Sequence, residues 1–249
     1  MVKEECGFTT PWLDLDREMV KKVATGKIKK VPKPLDIIYP PGILSEVKGK
    51  NVLCLAAGGG QQSAVFGILG ANVTVLDLSD GQLAGDQKAA AHYGYKVRTV
   101  QGDMSDLSAF KNSSFDLVYQ PPSMGYVPDI GKVYRGVARI LRPGGLYVAD
   151  AQNPLAQFVD ENSWDGKGYR ISVPYAIKGK RRAKDKNVME FRHYLSDSFN
   201  GLIEAGFTIE RVEEEPPGLS PEGKPKPGTW PHSLLYVPGM FVILARKSS

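Results

Sequence analysis

The sequence predicts an α/β protein, a mostly parallel sheet with helices on both faces. Three observations carry that prediction. Apolar runs and helical patterns alternate through most of the 249 residues, the signature of strand–helix–strand units. The first runs are continuously apolar, as strands covered on both faces are. Glycines stand between strand and helix, where the chain must turn tightly.

The first strand reads Asn51 to Ala56, and Gly58, Gly59 and Gly60 follow it. A helix begins near Gln61, with Ala64, Val65, Ile68 and Leu69 at helical spacing, and Gly70 ends it. The second strand, Asn72 to Leu76, leads into Asp77-Leu78-Ser79. Ser79 and Gln82 match a capping box, so the next helix runs from about Asp80 to Tyr93 and stops at Gly94. The third strand is Lys96 to Val100. The fourth is Phe115 to Tyr119, closed by Pro121 and Pro122.

A helix from about Asp129 to Leu141 puts Ile130, Val133, Val137 and Ile140 on one face. Arg142-Pro143-Gly144-Gly145 then turns into a fifth strand, Leu146 to Ala149. Beyond Asp150 the alternation stops for about forty residues, too long for a plain loop and read as an insertion. A helix over Asp197 to Ala205 and strands Phe207 to Val212 and Met240 to Ala245 bring the count to seven strands. Seven of the 18 prolines crowd into residues 216–238 and exclude regular structure there.

Composition excludes several classes. With 42% hydrophobic and 24% charged residues the chain is neither disordered nor fibrous. No apolar run reaches the roughly 18 to 20 residues of a membrane span. The first residues lack a secretory pattern, and Cys6 and Cys54 are too few for a disulfide framework or a Cys-rich zinc site. A cytoplasmic protein without a metal is expected. The net charge is +5, but residues 21–33 and 178–186 alone carry +11, which leaves the rest mildly acidic. Such strips read as solvated loops or as attractors of anions and nucleic acid.

In a doubly wound sheet, ligands bind beyond the carboxyl ends of the strands. Three features fall there. Gly58 to Gly60 let a ligand approach the backbone, and the helix N-terminus behind them offers amides of partial positive charge. Asp77, nineteen positions after Gly58, can accept two hydrogen bonds from a ribose diol; it also reads as a helix N-terminal charge. Gly102-Asp103-Met104 places a carboxylate and an apolar flank beyond the third strand, although Gly-Asp alone also describes a turn.

The strings Val52-Leu-Cys-Leu-Ala-Ala-Gly-Gly-Gly60, Val73-Thr-Val-Leu-Asp77-Leu-Ser, Gln101-Gly-Asp103-Met, Phe115-Asp-Leu-Val-Tyr119 and Leu141-Arg-Pro-Gly-Gly145 together resemble the class I S-adenosylmethionine-dependent methyltransferases. The resemblance is close over residues 50–150 and looser over 196–246. It implies strand order 3-2-1-4-5-7-6 and S-adenosylmethionine as cofactor. It implies that Ala56, Ala57, Gly58, Gly59 and Gly60 face the methionine part, Asp77 the ribose and Leu78 the adenine. Asp103 would take the adenine amine with Met104 beside the ring, Gly102 would belong to the same cofactor-binding set, and Gln120 would sit near the sulfonium and the acceptor. The chain departs from the family at Cys54, where an acid is usual, and at Ala56, where glycine is. Losing that acid removes one anchor for the glycine loop or the cofactor's ammonium, which leaves the Gly58–Gly60 backbone and nearby waters to serve.

One domain is expected: an N-terminal lid segment (1–45), a cofactor-binding half (46–150), an insertion or cap (151–195), and a terminal helix with a strand hairpin (196–249). The expected reaction is methyl transfer to a small molecule, under a lid built from the N-terminal segment and the insertion. The aromatic residues Trp12, Tyr39, Trp164, Tyr169, Tyr175, Trp230 and Tyr236 would line that lid or staple its segments to the core. No catalytic base is assigned among His92, His193 and His232. The alternatives are an RNA or protein methyltransferase using the basic strips, and a non-catalytic cofactor-binding protein. A nicotinamide dehydrogenase is disfavoured, because Ser63 breaks the G-x-G-x-x-G spacing.

Overall fold

The computed structural model describes residues 15–28, 31–32, 35, 38, 40–176, 180–182, 189–214 and 225–248, with the backbone alone at 180–182. Seven strands form one sheet: β1 (Asn51–Leu55), β2 (Asn72–Asp77), β3 (Val97–Gln101), β4 (Phe115–Gln120), β5 (Leu141–Gln152), β6 (Phe207–Glu214) and β7 (Met240–Lys247). Their order is β6-β7-β5-β4-β1-β2-β3, the arrangement that the resemblance implies. The pairs β2–β3, β1–β2, β1–β4 and β4–β5 are parallel. Strand β7 enters antiparallel between β5 and β6. Strand order reverses at the β1–β4 pair, so the tips of β1, β2, β3 and β4 converge on one edge.

Alternate residues of β1 feed two different cores. Val52 and Cys54 pack with Ala64, Val65, Phe66, Leu83 and Ala89 of α2 (Gln61–Ile68) and α3 (Asp80–Tyr93). Leu53 and Leu55 pack with Val133, Val137 and Leu202 of α4 (Ile130–Ile140) and α5 (Leu195–Glu204), in the second core. Every apolar residue of β1 is fully buried, the reason its sequence shows no alternation.

Several boundaries differ from the sequence expectation. The Ser79 side chain accepts from Gln82 N at 3.3 Å, but the other half of the capping box is replaced: Ser79 N donates to Asp77 Oδ1 at 2.9 Å. Strand β5 extends from Leu141 to Gln152 through Arg142-Pro143-Gly144-Gly145, with its pairing to β4 shifted between Phe115 and Leu117. The proline-rich region is not wholly irregular. Its described part contains a one-turn helix, α6 (Trp230–Ser233), with Pro231 in the first turn, where its missing N–H is no loss.

Before β1 lies a helix the sequence reading missed, α1 (Arg17–Ala24), capped by Asp16. Val20, Val23 and Leu44 bury against α2 and its neighbours. Leu15 N donates to Tyr93 OH at 2.9 Å, and Arg17 donates to the Tyr93 carbonyl. Leu15 and Arg17, among the described residues of the N-terminal segment, are thus attached to the last turn of α3. Trp12 and Tyr39 lie outside the described residues, as do Lys29, Lys30, Lys33, Lys178, Lys184 and Lys186 of the basic strips.

Candidate cofactor site

The expected site residues do converge. Ala56 N donates to Leu76 O at 2.8 Å, and Gly102 N to Asp77 O at 3.0 Å, which binds the tips of β1, β2 and β3 side by side. Gly58 N donates to Asp77 Oδ2 at 2.9 Å. Asp103 folds its Oδ1 onto Ser105 N at 2.7 Å, holding the turn after β3. Leu78 stands 70% exposed beside them. Ala56 takes a left-handed backbone, φ 49°, at the position where the family carries glycine.

The glycines also let helix α3 approach the loop closely. Helix α3 lies so close that a Cβ on Gly58 would meet Gln82 Cβ at 2.6 Å, and one on Gly60 would meet Ala89 Cβ at 2.9 Å. Gly85 in turn faces Gly59, whose Cα would lie 3.0 Å from a Cβ there. The loop amides have partners within the chain. Gly58 N is taken by Asp77, Gly59 N by Asp86 Oδ2 (3.0 Å) and Gln82 O (2.9 Å), and Gly60 N by Asp86 Oδ1 (3.1 Å).

Asp86 is the residue that sequence reasoning missed. It is fully buried on α3 and also accepts from Ser63 Oγ at 2.5 Å, which in turn contacts Tyr95 OH at 3.1 Å. Burial pushes its carboxyl up to about 6, against the pull of the Ser63, Gly59 and Gly60 donors. The expectation that backbone and water alone hold the loop is therefore corrected, because a carboxylate holds it from α3. A signal was available. Gln82, Gly85, Asp86 and Ala89 share one helical face, and a glycine inside a helix costs about 1 kcal/mol unless packing requires it. Cys54 is buried and its thiol is pushed well up, first by burial and then by Asp86.

Gln120 does not line the groove with its side chain. It is fully buried, accepts from Tyr147 OH at 2.5 Å, and donates to Ser123 Oγ at 2.9 Å and to Met104 Sδ at 3.2 Å. With its amide so engaged, it supports Met104 from beneath. The three histidines each have a partner within the chain. His232 Nδ1 lies 2.6 Å from Tyr169 OH, with Trp164 and Tyr236 packed on its ring. His193 Nε2 bonds Val127 O at 2.9 Å. His92 lies edge-on to Tyr93 in the last turn of α3.

The insertion folds over the tips of β4 and β5. Its described parts include the single-turn helix Pro154–Phe158, a ribbon pairing Val159–Asp160 with Arg170–Ile171, and a second pairing Lys180–Arg182 with Met189–Phe191. Tyr175 stacks on Tyr194, and Arg192 lies 4.3 Å over the Phe158 ring. Between this cap and the strand tips remains a cavity of about 20 Å³, lined by Met124, Gln152, Gln157, Phe191, His193 and others. That is room for about one water.

Comparison with known proteins follows the same lines. The family described as "Methyltransferase domain" matches residues 53–149. The uncharacterized methyltransferase YbaJ of Bacillus subtilis (strain 168) is 35% identical over 202 residues, 77% of this chain and 76% of its own length. A ubiquinone biosynthesis O-methyltransferase of Pseudomonas syringae pv. tomato is 32% identical over 131 residues, which cover 50% of this chain and 56% of that one. The crystal structure of an S-adenosylmethionine-dependent methyltransferase from Mesorhizobium loti superposes with a TM-score of 0.69 at 28% identity, covering 81% of this chain and 93% of that one.

The residues at the strand tips fit the cofactor named there. Asp77 offers acceptor lone pairs beyond its two backbone bonds, and Leu78 presents an open apolar face. Gln62 Oε1, on the first turn of α2, is buried with no hydrogen-bond partner. A buried acceptor of that kind matches an ammonium donor. Among the described residues no group of three or more His, Cys, Asp or Glu could hold a metal, and no helix is long and apolar enough to cross a membrane.

Proposed function

The chain belongs to the class I S-adenosylmethionine-dependent methyltransferases, and on that footing we propose that it methylates a small-molecule acceptor held between the strand tips and the 151–195 insertion. The observation that carries this reading is the cap. It seats on the turn after β4, with His193 bonded to Val127 O and the Phe191 carbonyl beside Gly125. An acceptor end closed in this way suits a compact molecule better than a nucleic-acid strand or a folded protein surface. The ubiquinone and sterol methyltransferases among its relatives support the same class of acceptor.

S-adenosylmethionine supplies, when bound, an electrophilic methyl on a sulfonium. The chain's own residues bind, orient and exclude water. Asp77 would accept from the ribose hydroxyls, Leu78 and Met104 would flank the adenine, and Asp103 would accept from its exocyclic amine. Gly102 would give the ring its close approach at the β3 tip. Ala56, Ala57 and the glycine loop would line the methionine part, with Gln62 Oε1 accepting from the ammonium. No residue is assigned as a base.

The test is incubation of the protein and isotope-labelled S-adenosylmethionine with fractionated cell extract, followed by mass spectrometry. Label in the low-mass fraction is expected. Label confined to RNA or protein would overturn the reading.

A further inference from the structure

We propose that Asp86 is the positioning residue of the glycine loop, a carboxylate carried on helix α3 in place of the acid that the family's pattern puts at position 54 of β1. Three facts carry this. Position 54 is a buried cysteine with its side chain in the core shared by α2 and α3, so β1 brings no charge to the loop. Asp86 reaches the same loop from α3, taking Gly59 N, Gly60 N and Ser63 Oγ. Helix α2 has no side-chain cap and no acid in its first turn. Asp86 therefore supplies from outside the negative charge that a helix N-terminus favours.

The local architecture is shaped for this delivery. Gly85 lets α3 close on Gly59, and Gly60 lies against Ala89. Wider spacing would carry the carboxylate out of reach of the amides. The titratable groups facing Asp86 are Cys54 from β1, Asp77 at the tip of β2 and Tyr95 beyond α3. None is a cation. The carboxylate is held by neutral donors aligned on it, and a proton on either oxygen would disturb that alignment. Loop geometry, and with it affinity for the cofactor, then follows the ionisation of Asp86.

The inference rests on the placement of the cofactor against this loop, and calorimetry with S-adenosylhomocysteine separates the two. Asp86→Asn, which keeps the side-chain shape, should weaken binding about tenfold or more. Wild-type affinity should fall as pH drops through about 6, and the Asn variant should lose that dependence. Cys54→Asp in an Asp86→Ala background, which returns the acid to β1, should recover most of the lost affinity. Asp86→Asn binding within about twofold of wild type at neutral pH overturns the proposal. A folded Cys54→Asp/Asp86→Ala protein no tighter than Asp86→Ala does the same. If Asp86→Ala does not fold, the wild-type pH dependence against that of Asp86→Asn decides. An Asp77→Ala protein that binds as tightly as wild type would instead defeat the cofactor placement.

Discussion

At the scale of single residues, Ala56 and Asp86 each carry an unfavourable feature at the loop. A left-handed backbone costs a non-glycine residue roughly 1–2 kcal/mol, and Ala56 has φ 49°. Glycine loses about 0.5–1 kcal/mol more in chain entropy, so Ala56→Gly should stabilise the protein by up to about 1 kcal/mol. A raised urea midpoint checks this, and a lowered one refutes it. For Asp86, the folded protein holds the proton more tightly than the unfolded chain, since its carboxyl is raised to about 6. Its ionisation therefore opposes folding. That penalty is absent below the unfolded value near 3.9, grows through the window up to about 6, and is complete above it. The stability of wild type relative to Asp86→Asn should fall by about 2 kcal/mol between about pH 4.5 and 7.5. Parallel denaturation curves would contradict the burial argument. Asp77→Ala should weaken cofactor binding roughly ten- to a hundred-fold; unchanged calorimetric affinity would reject the ribose assignment. Asp77 was legible because an acid at a strand tip has a known geometry. Asp86 was harder to read, because its partners lie 23 to 27 positions away and the α3 string marks its face only through Gly85, a glycine inside a helix.

At the scale of elements, α3 makes the loop what it is. Gly85→Ala would push a methyl into the Gly59 backbone at about 3.0 Å, and overpacking of that kind costs typically 1–3 kcal/mol. The same change should weaken cofactor affinity more than a matched Gly81→Ala, where the nearest atom is 3.7 Å away. Equal effects at both positions would refute a special role for the contact. Local signals placed the cores of β1, β2, α3 and α4 within about two residues. They failed where tertiary bonds override them: Asp77 displaces the second half of the Ser79 capping box, and pairing with β7 carries β5 out to Gln152. Helix α1 was missed because its stability comes from burial of Val20 and Val23 in the core shared with α2 more than from propensity.

At the scale of the whole molecule, strand order and the position of the groove followed from resemblance, since periodicity alone does not choose a neighbour for β7. The cap was legible only as an interruption. Its fold depends on aromatic contacts such as Tyr169 with His232, 63 residues apart, which no local pattern announces. If the cap closes over an acceptor, residues 153–176 and 189–194 should gain hydrogen-exchange protection when cofactor and acceptor are both present. Protection unchanged with a turned-over acceptor bound would remove that role.

The attachment of Leu15 and Arg17 to Tyr93 has a practical corollary. Helix α3 is a rod about 20 Å long, gripped at its C-terminal turn by the incoming chain and touching the glycine loop from Gln82 to Ala89. Trimming to residue 18, or an affinity tag that strains the stretch before it, would act on the cofactor through that rod. Preparations differing only at the start of the chain should then differ in S-adenosylhomocysteine affinity, while the strand hairpin at the opposite edge of the sheet remains indifferent.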